Sequence, residues 1–220
     1  MIGFLDFKEC FAGLDCFSLN QIRSIYPDFQ QKNIVRWCEK GLLVPLRQGW
    51  YSFPECVRYV DVVRRIANVI YSPSYVSLHY TLCFYEMIPE AVTTITSVTT
   101  LKTCRFDNRF GTFVYQTVKP SFFFGYEPMV GRDGKGFFMA TPEKALLDLL
   151  YLYPFYKTEQ DMIDLRLDED FMEDEFNMER FDLYVERVGS VALRNRAETL
   201  KKHMEYFNGM TILICSSQGK

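Results

Sequence analysis

Apolar residues recur three and four positions apart through the first seventy residues, and β-branched runs then take over. Phe4, Phe7 and Phe11 share a face and predict a helix over residues 3–12. Leu19, Ile22, Ile25 and Tyr26 predict a second helix. Ser18 is placed to cap it, and Pro27-Asp28 ends it. A third helix is predicted over 29–40, with Ile34, Val35 and Cys38 as its apolar stripe and Lys32, Asn33, Arg36 and Lys40 on the opposite face. Gly41 supplies the stop. Two short β-like runs, 42–46 and 50–53, join across Arg47-Gln48-Gly49. This order of helices followed by a hairpin is that of a winged helix-turn-helix. Pro54-Glu55 then opens a helix predicted to reach residue 71. Its polar stripe of Asp61, Arg64, Arg65 and Asn68 reads as solvated.

Beyond Ser72-Pro73-Ser74 the pattern predicts a helix over 75–86 and strands over 93–100 and 112–118. Further strand candidates are 122–126 and 137–140, with the glycine-rich 131–136 as a hairpin turn between them. Thr141-Pro142 opens a helix with Ala145, Leu146, Leu149 and Leu150 inside. Residues 159–186 hold twelve Asp and Glu, and their spaced apolar residues predict solvated acidic helices. A last helix is expected over 191–207, a short strand at 212–214 and a frayed end over 216–220.

The expected fold class is therefore α+β: an N-terminal winged helix-turn-helix (1–55), a connector helix (56–71), and an α/β domain (72–215) with a small mixed sheet flanked by helices.

Composition narrows the function. Hydrophobic residues make up 48% of the 220, which excludes a disordered chain. The formal charge of −3 excludes a protein that coats nucleic acid by its overall field, so any DNA contact must come from a local patch. No apolar run approaches a membrane span, and no signal peptide is expected. Seven scattered cysteines without a CxxC pair point to a reducing compartment, the cytoplasm.

Gln30, Gln31 and Asn33 have the amide chemistry that pairs with adenine edges, and Arg36 suits guanine or phosphate. Lys32, Lys40 and Arg47 would serve as phosphate contacts, and Gln48 is a further DNA-binding candidate at the hairpin tip. A small helical domain with a solvated face would show the same stripe, and the basic hairpin tip is what favours DNA. Nucleotide-binding, zinc-protease and hydrolase motifs are absent from the sequence, and no catalytic residue, cofactor or metal is expected. His79 and Cys83 stand at i, i+4 with no second ligand pair, so a half-buried structural histidine is the simpler reading. Glu143 and Asp148 raise a degenerate nuclease core, but the strands predicted beside them carry no acidic residue.

In order along the chain, Lys40-Gly41-Leu42-Leu43, Arg47-Gln48-Gly49-Trp50-Tyr51, Pro73-Ser74-Tyr75-Val76-Ser77-Leu78, Ile88-Pro89-Glu90-Ala91-Val92, 95–100, Gly111-Thr112-Phe113, Lys119-Pro120 and 140–148 resemble the AbiEi family. These are antitoxins and transcriptional regulators of bacterial abortive-infection toxin–antitoxin operons. The resemblance covers roughly 33–153. It implies an autorepressor that binds inverted repeats in its own promoter; because a single winged helix offers little affinity, two copies are expected on the repeat. It also implies opposition to a nucleotidyltransferase-like toxin without a stable complex. The reading from another class is a protein-interaction module that neutralises a partner through its acidic C-terminal half, the winged helix being structural.

Overall fold

The computed structural model describes residues 2–217, and for 205–217 its backbone alone. It is an α+β chain of two compact units, 1–76 with 93–139, and 77–92 with 140–220.

The first unit begins with helix α1 (Phe4–Phe11), the two-residue strand β1 (Phe17–Ser18), and helices α2 (Leu19–Ile25) and α3 (Lys32–Glu39). Strands β2 (Val44–Arg47) and β3 (Trp50–Ser52) follow. Ser18 caps α2 as expected: its hydroxyl accepts from the Gln21 amide, and the Gln21 side chain accepts from the Ser18 amide at 2.7 Å. Gly41 ends the α3 turn at φ +66°, where a side chain would be strained. The three strands pair antiparallel in the order β1-β3-β2, with a bulge between Pro45 and Arg47. Behind them Phe7, Phe11, Phe17, Phe29, Ile34, Trp37 and Phe53 form an aromatic core.

The helix expected over 54–71 is instead a 3-10 turn (Pro54–Arg58) and, after extended Tyr59, helix α4 (Val60–Ile70). Proline suits the first turn of a helix, and the break comes later, at extended Tyr59. The α4 stripe is not solvated either. Arg65 is buried; its Nε donates to Asp15 at 2.5 Å, and its two terminal nitrogens reach Asp133 at 2.9 and 2.6 Å. Burial alone would push the Asp133 carboxyl up, but the Lys135 amide and Arg65 outweigh it and hold it below its usual value.

Strand β4 (Ser74–Val76) falls where the pattern predicted the start of a helix. It is followed by β5 (Ile95–Thr99), β6 (Cys104–Asn108), β7 (Gly111–Thr117), β8 (Tyr126–Val130) and β9 (Gly136–Ala140). These form a mixed six-stranded sheet in the order β6-β7-β5-β4-β9-β8. β4 runs antiparallel to β5 and parallel to β9, and β5 is parallel to β7. The aromatic run expected as a strand begins in a 3-10 turn (Pro120–Phe122), and the strand itself starts at Tyr126. Asn68 of α4 ties that helix to β9, its side-chain amide bonding both the N–H (2.6 Å) and the carbonyl (3.3 Å) of Phe138.

The second unit is helical. Helix α5 (Leu78–Phe84) packs on α6 (Pro142–Leu152), which is capped by Thr141 and buried along most of its length. Helices α7 (Glu159–Asp164), α8 (Glu169–Asp174) and α9 (Met178–Val188) carry the acidic segment. Helix α10 (Val191–Ser217) includes residues 212–214, which are helical and not a strand. A short apolar run satisfies either period, and here the preceding helix carries through it. The frayed end expected over 216–220 lies, from residue 218, outside the described residues. Among the described residues no helix is long and apolar enough to cross a membrane.

Candidate nucleic-acid interface

Between residues 18 and 53 five Lys and Arg stand against two Asp and Glu, in a chain whose formal charge is −3. The local basic excess that DNA contact requires is therefore present in this segment. Its layout on α3 differs from expectation. The helix starts at Lys32, so Gln30 and Gln31 precede it, Gln31 as the N-cap residue. It buries Asn33, Ile34 and Trp37, while Val35 is 53% exposed and Cys38 half-buried. Both stripes fit a helical period. Trp37 decides between them, because its indole removes far more apolar area from water than a valine can. The packing turns Val35 outward to let Trp37 in.

Asn33 is consequently not available to read an adenine. It is 4% exposed, and its carbonyl oxygen lies 3.3 Å from an Arg36 nitrogen. Gln30, Gln31, Lys32, Arg36 and Lys40 are exposed. Among the described residues Lys32, Arg36 and Lys40 enter no ion pair. They are spaced by four residues and form one cationic ridge. The neighbouring ridge, also at four-residue spacing, is Gln31, Val35 and Glu39.

The hairpin is held against the start of α2, the Leu19 amide donating to the Gly49 carbonyl at 2.8 Å. An open groove runs between them, lined by Ser18, Asn20, Gln31, Gln48 and Trp50. Gln48 is exposed at the hairpin turn. Arg47 lines the same groove, and its guanidinium lies 5.2 Å from the ring centre of Tyr71 and 5.3 Å from that of Phe106. The hairpin is further tied to the sheet by Asn108, whose side-chain amide donates to the Leu46 carbonyl at 2.9 Å. Replacing Arg47 by alanine is accordingly expected to lower stability by about 1 kcal/mol through lost ring stacking. Thermal unfolding of the variant beside wild type measures it, and an unchanged midpoint would contradict the stacking role.

The residues considered for catalysis are engaged elsewhere. Asp148 is fully buried, ion-paired to Lys144 one turn earlier, and accepts from the Ser77 hydroxyl at 2.6 Å. Glu143 is also buried. It accepts from the Asn177 amide at 3.0 Å and lies 3.6 Å from Arg180. His79 packs on Tyr153, its Nε2 3.4 Å from the Tyr156 hydroxyl, and burial pushes its imidazole below the usual value. Among the described residues no group of three or more His, Cys, Asp or Glu is arranged to hold a metal.

Compared with known proteins, the sequence matches no family model and no curated protein. Sequence reasoning passed over two features of this surface. Val35 was assigned to the core, and Asn20 beside the hairpin was not considered. The weight of Trp37 in the same helix was the available signal for the first. Nothing local marked the second, which depends on where the hairpin folds back.

Proposed function

We propose that this chain is a DNA-binding transcriptional autorepressor and antitoxin of a toxin–antitoxin operon, with residues 1–55 acting as a winged helix-turn-helix. The observation that carries the reading is the cationic ridge Lys32–Arg36–Lys40 on an exposed helix face, beside a hairpin pinned next to α2. Unpaired cations spaced along one helix edge suit the phosphates that flank a major groove. The resemblance of 33–153 to AbiEi proteins adds the operon context: inverted repeats in the promoter, two copies of the chain on them, and a nucleotidyltransferase-like toxin opposed without a stable complex. The expected compartment is the cytoplasm. In this reading Gln31, Lys32, Arg36, Lys40 and Gln48 face DNA, with Gln30 at the margin, while Arg47 braces the hairpin.

The test is fluorescence anisotropy with the duplex immediately upstream of the gene and with a scrambled duplex, across a salt series. Wild type is expected to prefer the upstream duplex by about 10³-fold or more. Affinity should fall steeply as salt rises. Arg36→Ala should lose about 10-fold or more. Equal, weak binding to both duplexes would sink the repressor reading. It would turn attention to the acidic faces of α7 to α9 as a surface for a protein partner.

A further inference from the structure

The ridge beside the cations contains a residue that phosphate binding does not explain. Val35 lies between Gln31 and Glu39 on one ridge of α3, and Lys32, Arg36 and Lys40 line the next. Isolated exposed valines are common on protein surfaces. This one occupies the middle of an otherwise polar face on the helix assigned to the groove, and it is 53% exposed. A β-branched residue also gains nothing from an exposed helical position, where alanine or lysine is the better helix former.

On the floor of a major groove the amino groups, carbonyls and ring nitrogens are polar, and the one methyl group is the C5-methyl of thymine. When the cationic ridge sits on the phosphates, the Gln31–Val35–Glu39 ridge is turned toward the base edges. There Gln31 offers an amide and Glu39 an acceptor, and Val35 offers two methyl groups. We propose that Val35 is a specificity-determining residue that packs on the C5-methyl of a thymine in each half-site. This inference rests on the DNA-binding reading above and specifies what that surface recognises. The cation ridge supplies affinity, and the valine selects a methylated pyrimidine at one position.

The experiment uses the full chain and the upstream duplex, with each thymine replaced in turn by deoxyuridine, which lacks only the methyl. Wild type is expected to lose about fourfold in affinity at one position per half-site, the worth of one buried methyl group, and to ignore the other replacements. Val35→Ala is expected to bind the thymine and deoxyuridine duplexes alike, near the weaker affinity. Its circular dichroism should match wild type, since the position is exposed.

Two results would overturn the proposal while leaving DNA binding intact. One is wild type that prefers the upstream duplex yet ignores every deoxyuridine. The other is Val35→Ala that keeps the wild-type discrimination. Absence of any preference for the upstream duplex over scrambled DNA would instead remove the DNA-binding reading, and this inference with it.

Discussion

Replacing Asp148 by alanine is expected to destabilise the protein by about 3–5 kcal/mol, because it removes the buried carboxylate that compensates the Lys144 charge. Lys144 and Asp148 are one turn apart on α6, and neither side chain is exposed. Burial pushes the Lys144 ammonium below its ordinary pKa, and Asp148 is what opposes that shift. Without the carboxylate the charged form of the lysine is less favoured in the folded chain. The sign of the pH dependence follows. Between the depressed native pKa of the lysine in this variant and that of the unfolded chain, the unfolded state binds more protons, so stability rises with pH. The deficit of Asp148→Ala against wild type should therefore shrink as the solution becomes alkaline. Urea unfolding followed by far-ultraviolet circular dichroism, near neutrality and again at alkaline pH, measures both effects. The double variant Lys144→Met/Asp148→Leu is expected to recover most of the loss, since apolar groups of similar volume often replace a buried ion pair at little cost. A deficit below about 1 kcal/mol for the single variant would mean that water reaches the pair.

Trp37→Ala is expected to cost a similar amount, about 3–5 kcal/mol, by emptying the centre of the aromatic core. The indole is 3% exposed, and its ring centre lies 4.7 Å from that of Phe7, 5.3 Å from Phe4 and 5.8 Å from Phe29. It joins α3 to α1, so its loss frees the helix assigned to DNA from the element that orients it. Specific DNA binding is expected to fail in this variant together with the fold of residues 1–55, whereas Arg36→Ala should lose binding in a chain that still folds, its unfolding midpoint lowered only by loss of the hydrogen bond to Asn33. Chemical unfolding and anisotropy on the same preparations separate the two. A stably folded Trp37→Ala chain with wild-type affinity would show that α3 is oriented by other contacts.

Signals of local backbone chemistry were the most legible part of the sequence. The Ser18 and Thr141 caps, the Gly41 stop and the glycine-rich turn at 131–136 all mark real boundaries, because each satisfies amides or a positive φ within a few residues. Strands β5 and β7 were legible from β-branched composition. Strand β4 was not: Ser74-Tyr75-Val76 is three residues long, and its partners lie twenty or more residues away on β5 and β9. Strand β6, Cys-Arg-Phe-Asp-Asn, is polar enough to pass for a loop until β7 pairs with it. The rotation of α3 was legible in principle, since a helix that holds both Trp37 and Val35 on different faces buries the larger. The inward turn of Arg65 was not, because Asp15 and Asp133 come from loops 50 and 68 residues away.

The anchoring of the hairpin bears on how two copies of this chain can meet. A six-stranded sheet has two outer strands whose unpaired amides and carbonyls invite another chain to add on. At one border, β6, the Asn108 side chain ties the strand end to the hairpin through Leu46. At the other, β8, Pro128 has no N–H to offer an incoming strand. Growth of the sheet from molecule to molecule is thus discouraged at both ends, and in the proposed reading two copies on one operator would meet through side chains or through the DNA between them.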